Sequence, residues 1–162
     1  MPKFNQENIV AARELEQLVS DYFAALDSDI ESRDVTPYFT EDCIVDIGAI
    51  TYKGRAAMKA FYAQRAADVQ GSKEGARTRR HAVTNMRISF KDKTHATLIF
   101  LNVTFSGSGK APILTGAAPT IVTDIRMECR ADTNGDWLIA EFYGAPVFVG
   151  NDGYMNKTVV GK

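Results

Sequence analysis

Leu15, Leu18, Val19, Tyr22, Phe23 and Leu26 recur at the i, i+3, i+4, i+7, i+8 and i+11 positions of one helical face, so the chain opens on an amphipathic helix. The pattern carries that helix from about Gln6 to about Asp27, with Asn5 placed to cap it and Glu7 adding negative charge to its first turn. Thr36 followed by Pro37 marks the start of a shorter helix that carries Tyr38 and Phe39 and stops near Asp42. Cys43 to Ile47 then reads as a strand, paired across Gly48 with Ala49 to Lys53. From Gly54 the period is helical again, Arg55 to about Val69, with Met58, Phe61, Tyr62 and Arg65 on one stripe. Gly71 to Arg77 is a polar, glycine-punctuated loop.

After that loop the period changes to 2 and stays there. Three long strands are predicted, Arg80 to Phe90, Ala96 to Ser106 and Thr120 to Ala131. Lys91 to Thr94 joins the first two as a hairpin. Asp132-Thr-Asn-Gly135 leads from the third into a last strand, Trp137 to about Tyr143, with a further extended piece at Val147 to Val149. Gly107 to Pro119 is a long loop rich in Gly, Ala and Pro. Residues 1–149 read as a single domain and the polar residues 150–162 as a loosely held tail. Helices first and hairpin-linked strands afterwards is an α+β order rather than the alternation of a parallel sheet. The two helices are the available cover for the sheet's apolar face, so the sheet should curl around them and leave a pocket between the layers.

Composition narrows the partners. The 162 residues are 45% hydrophobic and 24% charged, enough for a real core. Nineteen Lys and Arg against twenty Asp and Glu leave a net charge of −1, which argues against a nucleic-acid binder. No apolar run reaches the roughly 20 residues of a membrane span, and the start has no apolar signal region or small-residue cleavage site. A cytoplasmic protein is expected, with Cys43 and Cys129 as buried, reduced thiols in apolar strands.

Asp27 is the most expensive residue in this pattern. It follows Phe23 by four and so continues the buried stripe, and it stands at a helix C-terminus, where the macrodipole disfavours a carboxylate. Such a group needs a cationic or hydrogen-bonding partner. The alternative is that the helix ends early and Asp27 faces water with Ser28 and Asp29. His81 is the natural partner, but its alternation is ambiguous. Its set of His81, Val83, Asn85 and Arg87 is less apolar than Ala82, Thr84, Met86, Ile88 and Phe90, which leaves solvent and a polar pocket both open. His95 follows a turn and reads as a solvated hairpin residue.

Other motifs fail. Gly107-Ser-Gly-Lys110 lacks the spacing of a phosphate-binding loop. Asn102-Val-Thr104 is a glycosylation sequon placed mid-strand in a chain without a signal. Two histidines and two cysteines scattered over four elements give no metal-ligand spacing, and no G-x-S-x-G elbow is present.

Tyr22-Phe-Ala-Ala-Leu-Asp27, Tyr38-Phe-Thr-Glu-Asp42, Thr51-Tyr-Lys-Gly54, Arg80-His-Ala-Val-Thr-Asn-Met-Arg87, Thr123-Asp124 and Asp136-Trp137-Leu138 carry a resemblance. Over roughly Glu14 to Val149 the chain resembles the SnoaL-like branch of the nuclear-transport-factor-2-like superfamily. These are cone-shaped α+β barrels in which a strongly curved, mixed, mostly antiparallel sheet wraps around N-terminal helices. At the pair Asp27 and His81 the resemblance is to scytalone dehydratases and hexachlorocyclohexane dehydrochlorinases. The Thr-Tyr-Lys-Gly and His-x-x-Thr-Asn-x-Arg strings look closer to the latter. The two site tyrosines of scytalone dehydratases fall on Leu26 and Ile47, and their second catalytic histidine has no counterpart here.

The resemblance implies an Asp–His dyad in one pocket. Neutral His81, with an ordinary pKa near 6.5, would accept a carbon-bound proton, and Asp27 would fix the tautomer and stabilise the imidazolium. Removing the proton beside a leaving group gives β-elimination, and returning it elsewhere gives isomerisation; neither needs a metal or cofactor. Tyr22, Tyr62, Asn85 and Asp124 are candidates to orient a small, largely apolar substrate. The competing expectation is a non-catalytic ligand-binding protein or a subunit similar to the β subunits of ring-hydroxylating dioxygenases. A scaffold subunit has no use for a costly buried carboxylate. The sheet's broad second face predicts a symmetric homodimer packed sheet against sheet.

Overall fold

The computed structural model describes residues 5–6, 8–28, 34–70, 77–114 and 118–151, with the side chains of 68–70 excepted. Helix α1 spans Ile9–Asp27 and is followed by a 3-10 turn at Thr36–Tyr38. Strands β1, Phe39–Ile47, and β2, Ile50–Lys53, precede helix α2, Arg55–Gln70. Among the described residues four long strands follow: β3, Arg77–Phe90; β4, His95–Ser108; β5, Ile121–Ala131; and β6, Trp137–Val149. Glu7, Asp29, the expected loop at 71–76 and the expected tail beyond 151 lie outside the described residues.

The sheet order is β2-β1-β6-β5-β4-β3, so β2 and β3 are edges and the sheet stays open. The β1–β6 pair is parallel and every other pair antiparallel. Helix α1 packs on β3 and β6, and α2 on β1 and β2. Each helix thus lies on a different half of the sheet's inner face, which produces the α+β architecture expected of NTF2-like proteins. The core gathers Leu15 and Val19 of α1, Phe39 and Cys43 of β1, Leu98 of β4, Met127 and Cys129 of β5 and Ile139 of β6. Both cysteines are free, and burial raises both thiols, Cys129 to about 12, so neither is a thiolate at neutral pH. Among the described residues no helix is long and apolar enough to cross a membrane.

Three local expectations change. Helix α1 starts at Ile9 rather than Gln6, because Asn5 and Asn8 bond each other's backbone N–H through their side-chain oxygens, at 2.9 and 3.1 Å. The predicted second helix is a single turn, held by Asp34 Oδ1, which accepts from the Thr36 amide at 3.0 Å and its hydroxyl at 2.6 Å. Phe39 is already extended, fully buried, and paired with Ile139 of β6, so the core draws the chain into β1 four residues before the expected strand. The separate piece at Val147 to Val149 is the end of one continuous β6.

The fourth change decides where His81 points. Thr84 pairs with Leu101 but Arg87 with Ile99, so Asn85 and Met86 together oppose Phe100 in a β-bulge. Asn85 sits at φ +56°, a conformation Asn tolerates better than most residues. The extra residue inverts the alternation. Val83 before the bulge and Met86 and Phe90 after it all pack against the core, with Ile88 buried. His81 therefore shares the inner face with the apolar set that unbroken alternation opposes to it. Asn85→Val, which puts a β-branched residue at positive φ, should cost roughly 1–3 kcal/mol in urea unfolding. Asn85→Gly, free of that penalty, should cost less; equal losses would remove the bulge from this account.

Candidate active site

Strand β3 is an edge, so the backbone N–H groups on its outer side have no ladder partner. Asp27, at the end of α1, supplies one. Its Oδ2 accepts from the His81 amide at 2.9 Å, while its Oδ1 lies 2.6 Å from His81 Nδ1. One carboxylate therefore fixes both the backbone and the ring of the same histidine. Both side chains are largely buried, 13% exposed for Asp27 and 9% for His81. The Phe23 ring stands one turn before Asp27 and lies 5.1 Å from the imidazole, closing the other side. Arg80 reaches back so that Nη1 donates to the main-chain carbonyl of Asp27 at 3.3 Å, placing a positive charge on the helix C-terminus. The dipole penalty that singled out Asp27 is thus offset by the residue next to its partner.

Burial pushes the Asp27 carboxyl up. The hydrogen bonds from the His81 ring and amide, and the charges of His81 and Arg80, outweigh it and hold the group below the usual carboxylate range. A depressed folded-state pKa contributes stability that is complete above the unfolded value near 3.9 and is lost as pH falls through the folded one. Acid unfolding followed by circular dichroism should therefore show a smaller loss of stability below pH 4 in Asp27→Asn than in wild type. An identical acid limb would detach Asp27 from its partners.

His81 opens onto a cavity of about 120 Å³ between the helices and the sheet. That is the scale of apolar protein cavities of roughly 150 Å³ that take up benzene. The walls are mostly apolar, with Phe23 and Leu26 from α1, Met58 and Phe61 from α2, and Val45, Ile125 and Phe142 from the sheet. Tyr22 and Tyr62 line this cavity beside His81. Tyr22 is nearly buried and set edge-on to Phe23 and Phe39. Asn85 and Asp124 do not join them. Both are exposed and line a separate depression on the sheet's outer face with Arg87, Arg126 and Tyr143. The bulge put Asn85 there, and Asp124 alternates with the inward Thr123 and Ile125.

Sequence reading missed a polar patch on the inner face: Arg79 of β3, Asn102 and Thr104 of β4, and Thr123 of β5 all line the cavity. The signal was present in β4, where Asn102 and Thr104 continue the buried parity of Ala96, Leu98 and Phe100. His95 is half exposed, as expected of a hairpin residue, but has its own carboxylate, with Asp92 Oδ1 3.0 Å from Nδ1. Asp92 is lowered to about 2 by the Thr94 amide and by His95.

Comparison with known proteins places the chain in a family. No curated protein matches the chain. Among solved structures, a candidate scytalone dehydratase from Novosphingobium aromaticivorans superimposes with a TM-score of 0.70 at 18% identity, covering 90% of this chain and 89% of that one. A type 2 hexachlorocyclohexane dehydrochlorinase, LinA, gives 0.66 at 16% identity, covering 88% of each chain. A protein from Catenulispora acidiphila solved in complex with S-DNPA gives 0.64 at 17% identity, covering 85% and 93%. At these identities the likeness is one of fold. The SnoaL-like domain profile matches residues 7–143, and the chain belongs to the SnoaL-like family.

Proposed function

We propose that the chain is a cofactor-free acid–base lyase or isomerase acting on a small, largely apolar substrate. The observation that carries this reading is the carboxylate of Asp27 holding both the ring and the amide of His81 at the wall of an apolar cavity. With Nδ1–H donated to Asp27, the imidazole turns its basic Nε2 to the substrate. Nε2 takes a proton from carbon, and the C–H electron pair becomes the new π bond as the bond to the leaving group breaks. A leaving hydroxyl then receives the proton as water, while a leaving halide departs as the anion and the proton passes to solvent. In an isomerisation the same proton returns to another carbon. Asp27 stabilises the imidazolium formed in between. Tyr22 and Tyr62 bound the substrate, and the names of the dehydratase and the dehydrochlorinase among the structural neighbours support the reaction class.

The test is a panel of six-membered alicyclic β-hydroxy and β-halo ketones, followed by the absorbance of the conjugated enone. Wild type should form product and His81→Gln should lose roughly 10²–10⁴-fold in rate. Turnover that survives in His81→Gln, or no turnover on any member, overturns the reading.

The free thiols fit a cytoplasmic setting, where cysteines stay reduced. A homodimer packed through the outer face of the sheet would bury the depression lined by Arg87, Asp124 and Arg126 in an isologous interface. Light scattering at micromolar concentration should give twice the 17.8 kDa chain mass; a monomer contradicts that packing.

A further inference from the structure

Asn102 is 95% buried, at 5% exposure, on the inner face of β4, and it lines the cavity. Its Nδ2 donates to Thr104 Oγ1 at 3.1 Å, and its Oδ1 has no hydrogen-bond partner among the described residues. A buried carbonyl oxygen left unpaired is costly, and native proteins keep few of them. The neighbourhood gives this one a purpose. His81 pairs across the strands with Thr104, and Asn102 lies two residues further along, opposite Val83. Asn102 and His81 are therefore diagonal neighbours on the same face, at residue positions about 7–8 Å apart, close enough for one ring to touch both side chains.

We propose that Asn102 Oδ1 accepts a hydrogen bond from a hydroxyl on the substrate and so selects hydroxylated rings over halogenated or hydrocarbon ones. This rests on the acid–base reading of the cavity and names its substrate class. Asn102 is a positioning residue here, holding the ring so that a neighbouring C–H faces His81. An apolar cavity without such an acceptor would prefer the analogue lacking the hydroxyl, because burying an unpaired O–H is penalised. Because His81 Nε2 is a second acceptor at the same wall, the change of preference on removing Asn102 is diagnostic, not its sign in wild type.

The experiment compares phenol, toluene and anisole, three rings of near-equal size that differ in donating a hydrogen bond, having no polar group, or only accepting one. Dissociation constants come from NMR titration of wild type and Asn102→Leu, each checked for native fold by circular dichroism. Wild type should bind phenol about 3- to 10-fold more tightly than toluene or anisole, the yield of one neutral hydrogen bond. Asn102→Leu should reduce that preference at least severalfold. Equal binding of phenol and toluene by wild type, tighter binding of anisole than phenol, or a phenol preference undiminished in Asn102→Leu each overturns the proposal. Failure of the dyad is read separately, from turnover and from the His81 titration, because the binding preference needs neither proton transfer nor an ionised Asp27.

Discussion

Asp27→Asn should leave the fold intact, lower the titration midpoint of His81 and reduce turnover by roughly 10²–10⁴-fold, the worth of a correctly placed general base. Asp27 accepts from the His81 amide through Oδ2 and faces Nδ1 through Oδ1. Asparagine has one oxygen and one NH₂ for those two places. The backbone amide is always a donor, so the oxygen must go to it and the NH₂ must face Nδ1. Nδ1 then has to be the unprotonated nitrogen, and the proton of the neutral ring moves to Nε2. The substitution therefore removes the anion that favours imidazolium and also blocks the nitrogen that should act as base. A ¹⁵N NMR titration reads both effects, as a lower midpoint and as an inverted tautomer in the neutral form. His95 is the internal reference, since its partner Asp92 is untouched. An unchanged His81 midpoint and tautomer would mean that the pairing has no chemical consequence, and the acid–base reading would fall with it.

Helix α1 was legible because its buried residues follow one stripe without interruption, so even the odd carboxylate at its end was informative. Asp27 stood out by breaking a rule of burial and a rule of helix polarity at once, and the structure resolves both with His81 and Arg80. The orientation of His81 was not legible. Strand parity is a counting argument, and the bulge at Asn85 and Met86 adds one residue that no periodicity reveals. The outward placement of Asn85 shares that cause. Asn102 was legible in parity but not in meaning, because a polar residue in a buried strand position signals a site only when its partners are known. The short turn at Thr36–Tyr38 failed for a third reason. Its proline was read correctly, but the cap falls on Val35 rather than Thr36, and how far a helix continues depends on what pulls its next residue elsewhere.

Phe39 is what pulls, and Phe39→Ala should cost about 3–5 kcal/mol in urea unfolding, the range for deleting a buried aromatic ring. The side chain is fully buried at the point where the turn becomes β1. Its ring lies 5.4 Å from that of Tyr22, its carbonyl accepts from Arg55 of α2, and its backbone pairs with Ile139 of β6. It therefore joins α1, α2 and the parallel strand pair at one residue. Against a typical domain stability of about 5–15 kcal/mol, the loss is a large fraction of the whole. A Phe39 exposed on a short helix would cost under about 1 kcal/mol. The two accounts differ enough for one denaturation curve to separate them. The site should respond as well, because Tyr22 lines the cavity and packs edge-on against the ring being removed. Toluene binding to Phe39→Ala should weaken severalfold even under conditions where the variant is fully folded. Undiminished binding would show that the cavity wall does not depend on the packing behind it.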